Sequence, residues 1–244
     1  MISSFFHAII YQPLYNGLIF LMDTIPWADA GVVVVLFTLI IRLVLFPLSK
    51  KALLTQKKIK KFEPELKKIK EQYKDRQEQA KKTMELYKEK GINPFSSFFL
   101  ILIQLPIIIG LYRIFLSSGL PTIQESILYS FVSVPASVNM IFLGMVDITT
   151  RNWPLALLVG IATFIQMRLS MPALDLKNTQ KGDFKADLAK SMHIQMRFVF
   201  PLLAIFISYG LSGAIALYWL TSNLFSIGQE IYIKNKFRKE DNTV

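Results

Sequence analysis

The sequence contains no cysteine and only two histidines, His7 and His193, in 244 residues. The absence of cysteine excludes a disulfide framework, a thiolate metal site and a catalytic or lipidated cysteine. Two histidines far apart in the sequence argue against a metal cage, and the sequence has no glycine-rich phosphate loop, so we expect no metal and no cofactor. Lys and Arg are also absent from residues 1–30, so the N-terminus lacks the basic region of a signal peptide.

Long apolar stretches dominate what is present. Hydrophobic residues make up 52% of the chain and the mean hydropathy is +0.40, more apolar than an ordinary soluble domain. We predict an all-α membrane protein with five transmembrane helices, a cytoplasmic helical hairpin and an N-terminal amphipathic interfacial helix. The predicted segments are the interfacial helix (1–29), spans at 30–48, 94–116, 153–172, 194–209 and 212–233, the basic hairpin (49–93), an extracytoplasmic loop with short helices (117–152), a cytoplasmic loop (173–193) and a basic cytoplasmic tail (234–244).

The distribution of positive charge predicts the orientation of these spans. With five spans, 23 Lys and Arg residues fall in loops on one side and Arg151 alone on the other. Positive loops stay in the cytoplasm, so we expect a prokaryotic plasma membrane protein with its N-terminus outside and its C-terminus inside. Residues 123–149 could form a sixth span, but a loop with four lysines would then lie outside. The N-terminal segment, which Pro13 should break, could also span the membrane, but this would place Asp23 to Asp29 inside.

Arg42 lies in the apolar run from Gly31 to Phe46. An arginine at the centre of a span costs about 2.5–3.5 kcal/mol on insertion scales. We expect no carboxylate at this depth, which favours a hydrated cavity in the inner leaflet over an ion pair; snorkelling towards the charged boundary at Lys50 is the alternative. The other polar residues in the predicted spans could serve a substrate or simply bond helix to helix. They include Thr38, Gln104, Gln166, Thr221, Ser222 and Asn223.

Residues 49–90 form a basic segment with 15 Lys and Arg against 7 Asp and Glu. Apolar residues at heptad spacing predict a first helical arm, which Pro64 should kink: Ile59, Phe62, Leu66, Ile69 and Tyr73. A capping box at Asp75-Arg-Gln-Glu78 predicts a second arm that ends at Gly91. The apolar residues of this arm are Ala80, Met84 and Tyr87. The positive charge suits solvent, anionic lipid or ribosomal RNA, and the sequence does not decide among them.

In this order and topology, the chain's motifs resemble the YidC/Oxa/Alb family of membrane protein insertases, over nearly the whole length from about residue 10. The order of the motifs along the chain carries the resemblance. The motifs include Gln12-Pro-Leu-Tyr15, Ile41-Arg42-Leu43, Gly91-Ile-Asn-Pro94, Gln104-Leu-Pro106, Phe142-Leu143-Gly144, Phe164-Ile-Gln166, Leu217-Tyr-Trp219 and Ser222-Asn223-Leu224. The large periplasmic domain of many Gram-negative members is not expected here, and the short basic tail weakens any expectation of ribosome binding.

The resemblance implies a hydrophilic groove that is open to the cytoplasm and the lipid and closed outside. Arg42, Gln166 and Trp219 match groove-lining positions, and the hairpin would capture substrates. The full predicted contact set adds Gln104, Thr38 and Asn223 in the groove and Ile59, Phe62, Leu66 and Met84 on the hairpin. The implied partners are nascent membrane proteins and the bilayer, with a ribosome and a Sec translocon as further candidates and no specific nucleic-acid sequence. The implied activity is insertion driven by hydrophobic partitioning and the membrane potential, without enzymatic catalysis.

Three other functions fit parts of the sequence. A small anion or solute transporter could use Arg42 as its binding site, but we see no internal repeat of the kind that many transporters have. An intramembrane hydrolase would need a histidine or acidic residue within the spans, and we expect none there. A scaffold that tethers ribosomes through the basic hairpin would leave Arg42 without a role.

Overall fold

The computed structural model describes residues 2–73, 75–93, 96–117, 120–170 and 195–241, and most of these residues are helical. Two strands pair in an antiparallel hairpin, β1 (Ile141–Phe142) and β2 (Val146–Asp147). π-helical turns lie at His7–Tyr11, Arg113–Ser117 and Gln195–Val199. The α-helices are α1 (Ile2–Phe6), α2 (Gln12–Thr24), α3 (Ala30–Val44), α4 (Phe46–Lys61), α5 (Glu63–Gln72), α6 (Arg76–Glu89), α7 (Ser96–Tyr112), α8 (Trp153–Ser170), α9 (Phe200–Gly210) and α10 (Gly213–Asp241).

The N-terminal segment is helical from Ile2 to Thr24, so the prediction that Pro13 breaks it was wrong. Pro13 lies in the first turn of α2, directly after the π-helical turn His7–Tyr11. The wider π turn accommodates the missing N–H donor without ending the helix. Within α2, Tyr15, Leu18 and Ile19 are fully buried.

Two helical stretches among the described residues, Ser4–Thr24 and Trp153–Ser170, are long and apolar enough to cross a membrane. The pair α3 and α4 would count as a third if the break at Leu45 lies within one span. Leu102–Phe115 and Gln195–Gly210 are shorter apolar helices. The five-span count therefore stays a prediction, and the length of Ser4–Thr24 gives weight to the alternative in which the N-terminal segment spans the membrane.

By contacts, the chain divides into two compact units, Met1–Leu43 with Leu105–Tyr232, and Val44–Gln104 with Ile233–Val244. In the first unit, residues 120–152 gather the N-terminal ends of three helices. The N–H of Ala30 in α3 donates to the Asn139 carbonyl at 2.7 Å, and the N–H of Gly213 in α10 donates to the Thr150 carbonyl at 2.8 Å. Asn152 caps α8. These contacts satisfy amide groups that a helix cannot pair internally.

The sequence predicted short helices in the loop 117–152, but the described part of this loop is mostly irregular. Among residues 120–152, the structure has one 3-10 turn, Glu125–Ile127, and the β1–β2 hairpin, in which Ile141 pairs with Asp147. The prolines and polar residues that interrupt the apolar pattern of this loop leave no run long enough for a stable α-helix.

Side chains of α2 hold the same loop through hydrogen bonds to its backbone. The Tyr15 hydroxyl accepts the N–H of Gln124 at 2.7 Å. The buried Asn16 amide donates to the Ile127 carbonyl at 2.9 Å, and its oxygen accepts the N–H of Tyr129 at 2.6 Å. Because both the NH₂ group and the oxygen of the Asn16 side chain form hydrogen bonds to the loop, this residue fixes the loop on the N-terminal helix.

A close helix contact completes the description of the first unit. A Cβ atom at Gly160 of α8 would collide with the side chain of Ile205 in α9, so only glycine allows the two helices to approach this closely. The turn Leu211-Ser212 between α9 and α10 is as short as the sequence predicted.

The second unit contains residues 49–90, which the sequence predicted to be a basic hairpin, and the helices of this segment are α4, α5 and α6. The first arm is divided into α4 and α5 by a break at Phe62, because Pro64 occupies the first turn of a new helix. The Asp75 carboxylate caps α6 by accepting the N–H of Glu78 at 3.0 Å. Gly91, with φ of +61°, ends the second arm in the left-handed conformation that favours glycine.

The last helix passes the predicted end of the fifth span. α10 has 29 residues, about 43 Å of helix, and continues through residues 234–241, so much of the predicted tail is part of this helix. The predicted cytoplasmic loop 173–193 and residue Pro94 lie outside the described residues.

Candidate functional site

Arg42 lies in the last turn of α3 and is half-buried. Among the described residues it forms no ion pair with a carboxylate, and its electrostatic interaction is with the hydroxyl group of Tyr218 in α10. A half-buried guanidinium with a hydroxyl group as its neighbour needs water or a transient anionic partner to solvate its charge.

Thr38 lies one turn before Arg42 on α3, on the same side of the helix. It is fully buried, and its hydroxyl donates to the Val34 carbonyl of the same helix at 2.6 Å. Because the helix backbone already accepts its proton, this placement favours a structural role for Thr38 beside Arg42.

Two pairs of polar side chains join α8 to α10, the first buried and the second partly buried. The Asn223 amide donates to the Thr163 hydroxyl oxygen at 2.8 Å. Seven residues further along both helices, the Ser170 hydroxyl donates to the Glu230 carboxylate at 2.6 Å. The equal spacing shows that the two helices run parallel and in register over about 10 Å. We call these four side chains the polar zipper.

Gln166 lies on α8 between the two pairs of the polar zipper and is half-buried. Trp219 lies one turn before Asn223 on α10, is half-buried and packs against the apolar core of the first unit. The nearby Ser222 hydroxyl is buried without a hydrogen-bond partner in the part of the chain that the structure describes, whereas Thr221 donates to the Leu217 carbonyl at 2.8 Å. The zipper therefore fixes the helices that carry Gln166 and Trp219.

Glu230 corrects one expectation from the sequence, because it is an acidic residue within the predicted fifth span. Its side chain is only 5% exposed. The sequence Gln229-Glu230, late in an apolar helix, was the signal that could have revealed it. Within the described ranges, no three His, Asp or Glu side chains gather as a metal site would require.

The remaining predicted contact residues belong to the second unit. Gln104 lies in α7 and is half-buried. The predicted hairpin residues of the first arm are also half-buried: Ile59, Phe62 and Leu66. Met84 is 39% exposed, whereas Leu86, which the spacing did not identify, is buried in α6. Met84 therefore presents an apolar side chain at the surface of this unit.

Charged contacts join the two arms of the hairpin. Lys90 lies 3.6 Å from the carboxylate of Glu65, and its ammonium lies 5.1 Å from the centre of the Phe62 ring. On the surface of α6, the hydrogen bond between Lys82 and Glu85 raises the pKa of Lys82 and lowers the pKa of Glu85. Solvent reaches both side chains, so water and salt screen the pair.

Comparison with known proteins gives matches along nearly the whole chain. The family model described as 60Kd inner membrane protein matches residues 21–240. The membrane protein insertase YidC of Fusobacterium nucleatum is 32% identical over 230 residues, which cover 93% of this chain and 98% of that protein. The membrane protein insertase MisCA of Bacillus subtilis is 31% identical over 209 residues, 84% of this chain and 70% of that protein.

A solved structure has the same fold. It is the active YidC insertase crystal structure with the first transmembrane domain resolved, and it matches with a TM-score of 0.53 at 24% identity. The match covers 93% of this chain and 45% of the chain in that structure, so the fold described above corresponds to just under half of the chain in that structure.

Proposed function

Because the chain belongs to the 60Kd inner membrane protein family and is a membrane protein insertase of the YidC type, we propose that it moves short hydrophilic segments of nascent membrane proteins through a positively charged intramembrane groove. The hydrophobic segments of the substrate then pass into the lipid. The observation that carries this proposal is Arg42, a cation in an apolar helix whose described surroundings contain no carboxylate partner.

Arg42 acts in this proposal as a weak, temporary counter-ion for acidic groups in the translocated segment of the substrate. A permanent ion pair would neutralise the groove, and its absence among the described residues leaves the charge of Arg42 for the substrate. A hydrated cation inside the bilayer lowers the cost of bringing polar substrate groups to that depth. The membrane potential adds a driving force for acidic segments that move outward.

The groove in this proposal contains Gln166 and Trp219 as further contacts, with Thr38 and Asn223 supporting its walls. Gln104, which belongs to the second unit, stays a contact proposed from the sequence. Asn223 and Thr38 already use their polar groups in bonds to α8 and to their own helix. Gln166 and Trp219 are half-buried on helices that the polar zipper holds in register. Rigid helices present such side chains in a constant geometry.

The basic hairpin captures substrates in this proposal, through apolar contacts to Ile59, Phe62, Leu66 and Met84. The exposure of Met84 supports this role, because methionine is flexible and binds apolar segments of varied shape. The positive charge of the hairpin would also attract anionic headgroups or a ribosome. A Sec translocon is the other proposed partner.

The proposed orientation in the membrane places the N-terminus outside and the C-terminus in the cytoplasm.

The test is complementation of a bacterial strain depleted of its own insertase. We would compare the native chain with Arg42→Ala, Arg42→Lys and the matched control Arg151→Ala, which removes an exposed arginine from the loop. All variants would be expressed at equal membrane levels. We expect rescue by the native chain, Arg42→Lys and Arg151→Ala, and loss of insertion of substrates with acidic tails for Arg42→Ala.

Rescue by all four proteins would refute the role of Arg42 and leave the insertase assignment intact. Failure of the native chain, despite correct membrane expression, would instead contradict insertion in this host. Anion flux in proteoliposomes would then support the transporter alternative. For the hairpin, deletion of residues 55–88 should leave a folded but inactive protein, and full activity of this deletion would refute substrate capture.

A further inference from the structure

The tip of the β1–β2 hairpin, Leu143-Gly144-Met145, presents apolar side chains outside the core. Leu143 is 58% exposed and Met145 is 79% exposed. Other apolar side chains of the same loop, such as Met140 and Ile148, are buried. Because Leu143 and Met145 lie outside the core and outside the paired residues of the strands, neither core packing nor strand pairing requires them to be apolar.

The backbone at the tip makes the leucine more unusual. Leu143 has a φ of 52°, in the left-handed region where the Cβ of a leucine approaches a carbonyl oxygen. Glycine or asparagine would adopt this conformation at lower cost, and Gly144 beside it does so with a φ of 69°. A strained and exposed apolar residue suggests that its side chain contributes to a contact outside the folded chain.

The contacts of Asp29 show where the tip lies along α3. One carboxylate oxygen of Asp29 accepts the N–H of Leu143 at 3.0 Å, and the other accepts the N–H of Val32 at 2.9 Å. The ring of Phe142 also packs on Gly31, since a Cβ at that glycine would collide with it. The tip is therefore held at the first turn of α3.

The first turn of α3 is also where the apolar run of this helix begins. Trp27, two residues before Asp29, is 81% exposed. Tryptophan is enriched at the boundary between headgroups and acyl chains, where its ring is apolar and its N–H reaches water. Trp27, Leu143 and Met145 together form what we call the tip patch, and none of the three carries a charge.

We propose that the tip patch inserts into the boundary between the headgroups and the acyl chains of the outer leaflet and anchors residues 120–152 to the bilayer. The occupant is lipid, because the patch lies at the level where α3 enters the apolar phase and offers no charged group to a protein partner. The inference rests on the membrane position and orientation of α3 in the proposed function, and it does not depend on insertion activity.

The natural absence of cysteine allows a direct test with single-cysteine variants of the full chain. Met145→Cys would carry an NBD fluorophore in liposomes of phosphatidylcholine and phosphatidylglycerol. The matched control is Ser126→Cys, an exposed position on the same loop beside Glu125. We expect blue-shifted emission at position 145, with quenching by shallow doxyl lipids and little quenching by iodide, and the reverse pattern at position 126.

A second variant separates lipid contact from backbone geometry. Leu143→Asn in the Met145→Cys background should relieve the strain, keep the hairpin, weaken doxyl quenching and increase iodide quenching. Equal iodide quenching at positions 145 and 126 would overturn the proposal. Blue-shifted emission without doxyl quenching would also overturn it, because the tip would then be covered by protein.

The orientation has its own readout. An impermeant maleimide should label Ser126→Cys in intact spheroplasts. Labelling only after lysis would overturn the assignment to the outer leaflet and the proposed orientation. Because neither fluorescence nor labelling requires a working insertase, loss of insertion in the Arg42 experiment would not mimic any of these outcomes.

Discussion

The hydrogen bond between Asn223 and Thr163 allows a quantitative prediction about how α8 and α10 are held together. The two side chains are buried, and the donor and acceptor are 2.8 Å apart. The Thr163 hydroxyl also donates to the Val159 carbonyl at 2.7 Å. Asn223→Ala therefore leaves no unpaired donor on Thr163, whereas Thr163→Val leaves the Asn223 amide without this acceptor in an apolar environment.

The expected magnitudes follow from this asymmetry. Hydrogen bonds between membrane helices contribute about 0.6 kcal/mol on average and about 1.7 at most in double-mutant cycles. We expect the coupling free energy of Asn223→Ala with Thr163→Val to lie in this range, a change of about threefold to twentyfold in the unfolding equilibrium. Thr163→Val alone should cost about 1–3 kcal/mol, the penalty for an unsatisfied buried donor.

The assay is reversible unfolding of the four proteins of the cycle in mixed lipid–detergent micelles. Asn223→Ala with Thr38→Val is the control cycle, because the Thr38 hydroxyl donates to a carbonyl of its own helix and, among the described residues, shares no partner with Asn223. Free energies in the control cycle should add within about 0.3–0.5 kcal/mol. If the free energies of Asn223→Ala and Thr163→Val add as closely as those of the control cycle, the reasoning that this bond stabilises the helix pair is refuted.

Three further predictions concern packing, the loop and the hairpin. Gly160→Ala should lower the melting temperature, because the new Cβ collides with Ile205 and should lower the free energy of unfolding by about 1–3 kcal/mol. Gly228→Ala is the matched control, since a Cβ at Gly228 meets open space, and equal effects of the two variants would contradict the close contact. Asn16→Ala should speed hydrogen exchange at the Tyr129 amide, which loses its acceptor, and unchanged exchange there would show that the loop holds without this residue. Asp75→Ala should destabilise α6 by about 0.5–2 kcal/mol, seen as faster exchange in its first turn, and no change would show that the cap contributes nothing.

Local patterns in the sequence predicted the elements whose cause is local. The caps at Asp75 and Gly91 formed as expected, since each depends on residues within one turn. The break near Pro64 followed from the fixed geometry of the proline ring. Arg42 was identified because its charge contrasts with every neighbour in its helix, a signal that needs no knowledge of the rest of the chain.

Features that depend on distant residues were not predicted. Asn16 bonds to residues more than 100 positions away, and nothing in its own helix indicates that loop carbonyls lie opposite it. Glu230 and Ser170 are 60 residues apart, and their pairing requires the relative register of two helices. The continuation through Pro13 depends on a π turn, which propensity does not reveal. Tertiary contacts decided the cases of Asn16 and Glu230, and an irregular local turn decided that of Pro13.

The loop that receives the N-terminal ends of α3, α8 and α10 has a consequence for thermal motion. Displacing the loop would break several backbone hydrogen bonds together, so these helix ends should fluctuate little. A helix held at one end rotates about that end, and its displacement grows with distance. α8 has 18 residues and is about 27 Å long, so a rotation of about 3° moves its far end by about 1.4 Å. Because the Ser170–Glu230 hydrogen bond joins α8 to α10 at the far end of α8, these two helices should make such a rotation together, with the smallest displacement at the loop.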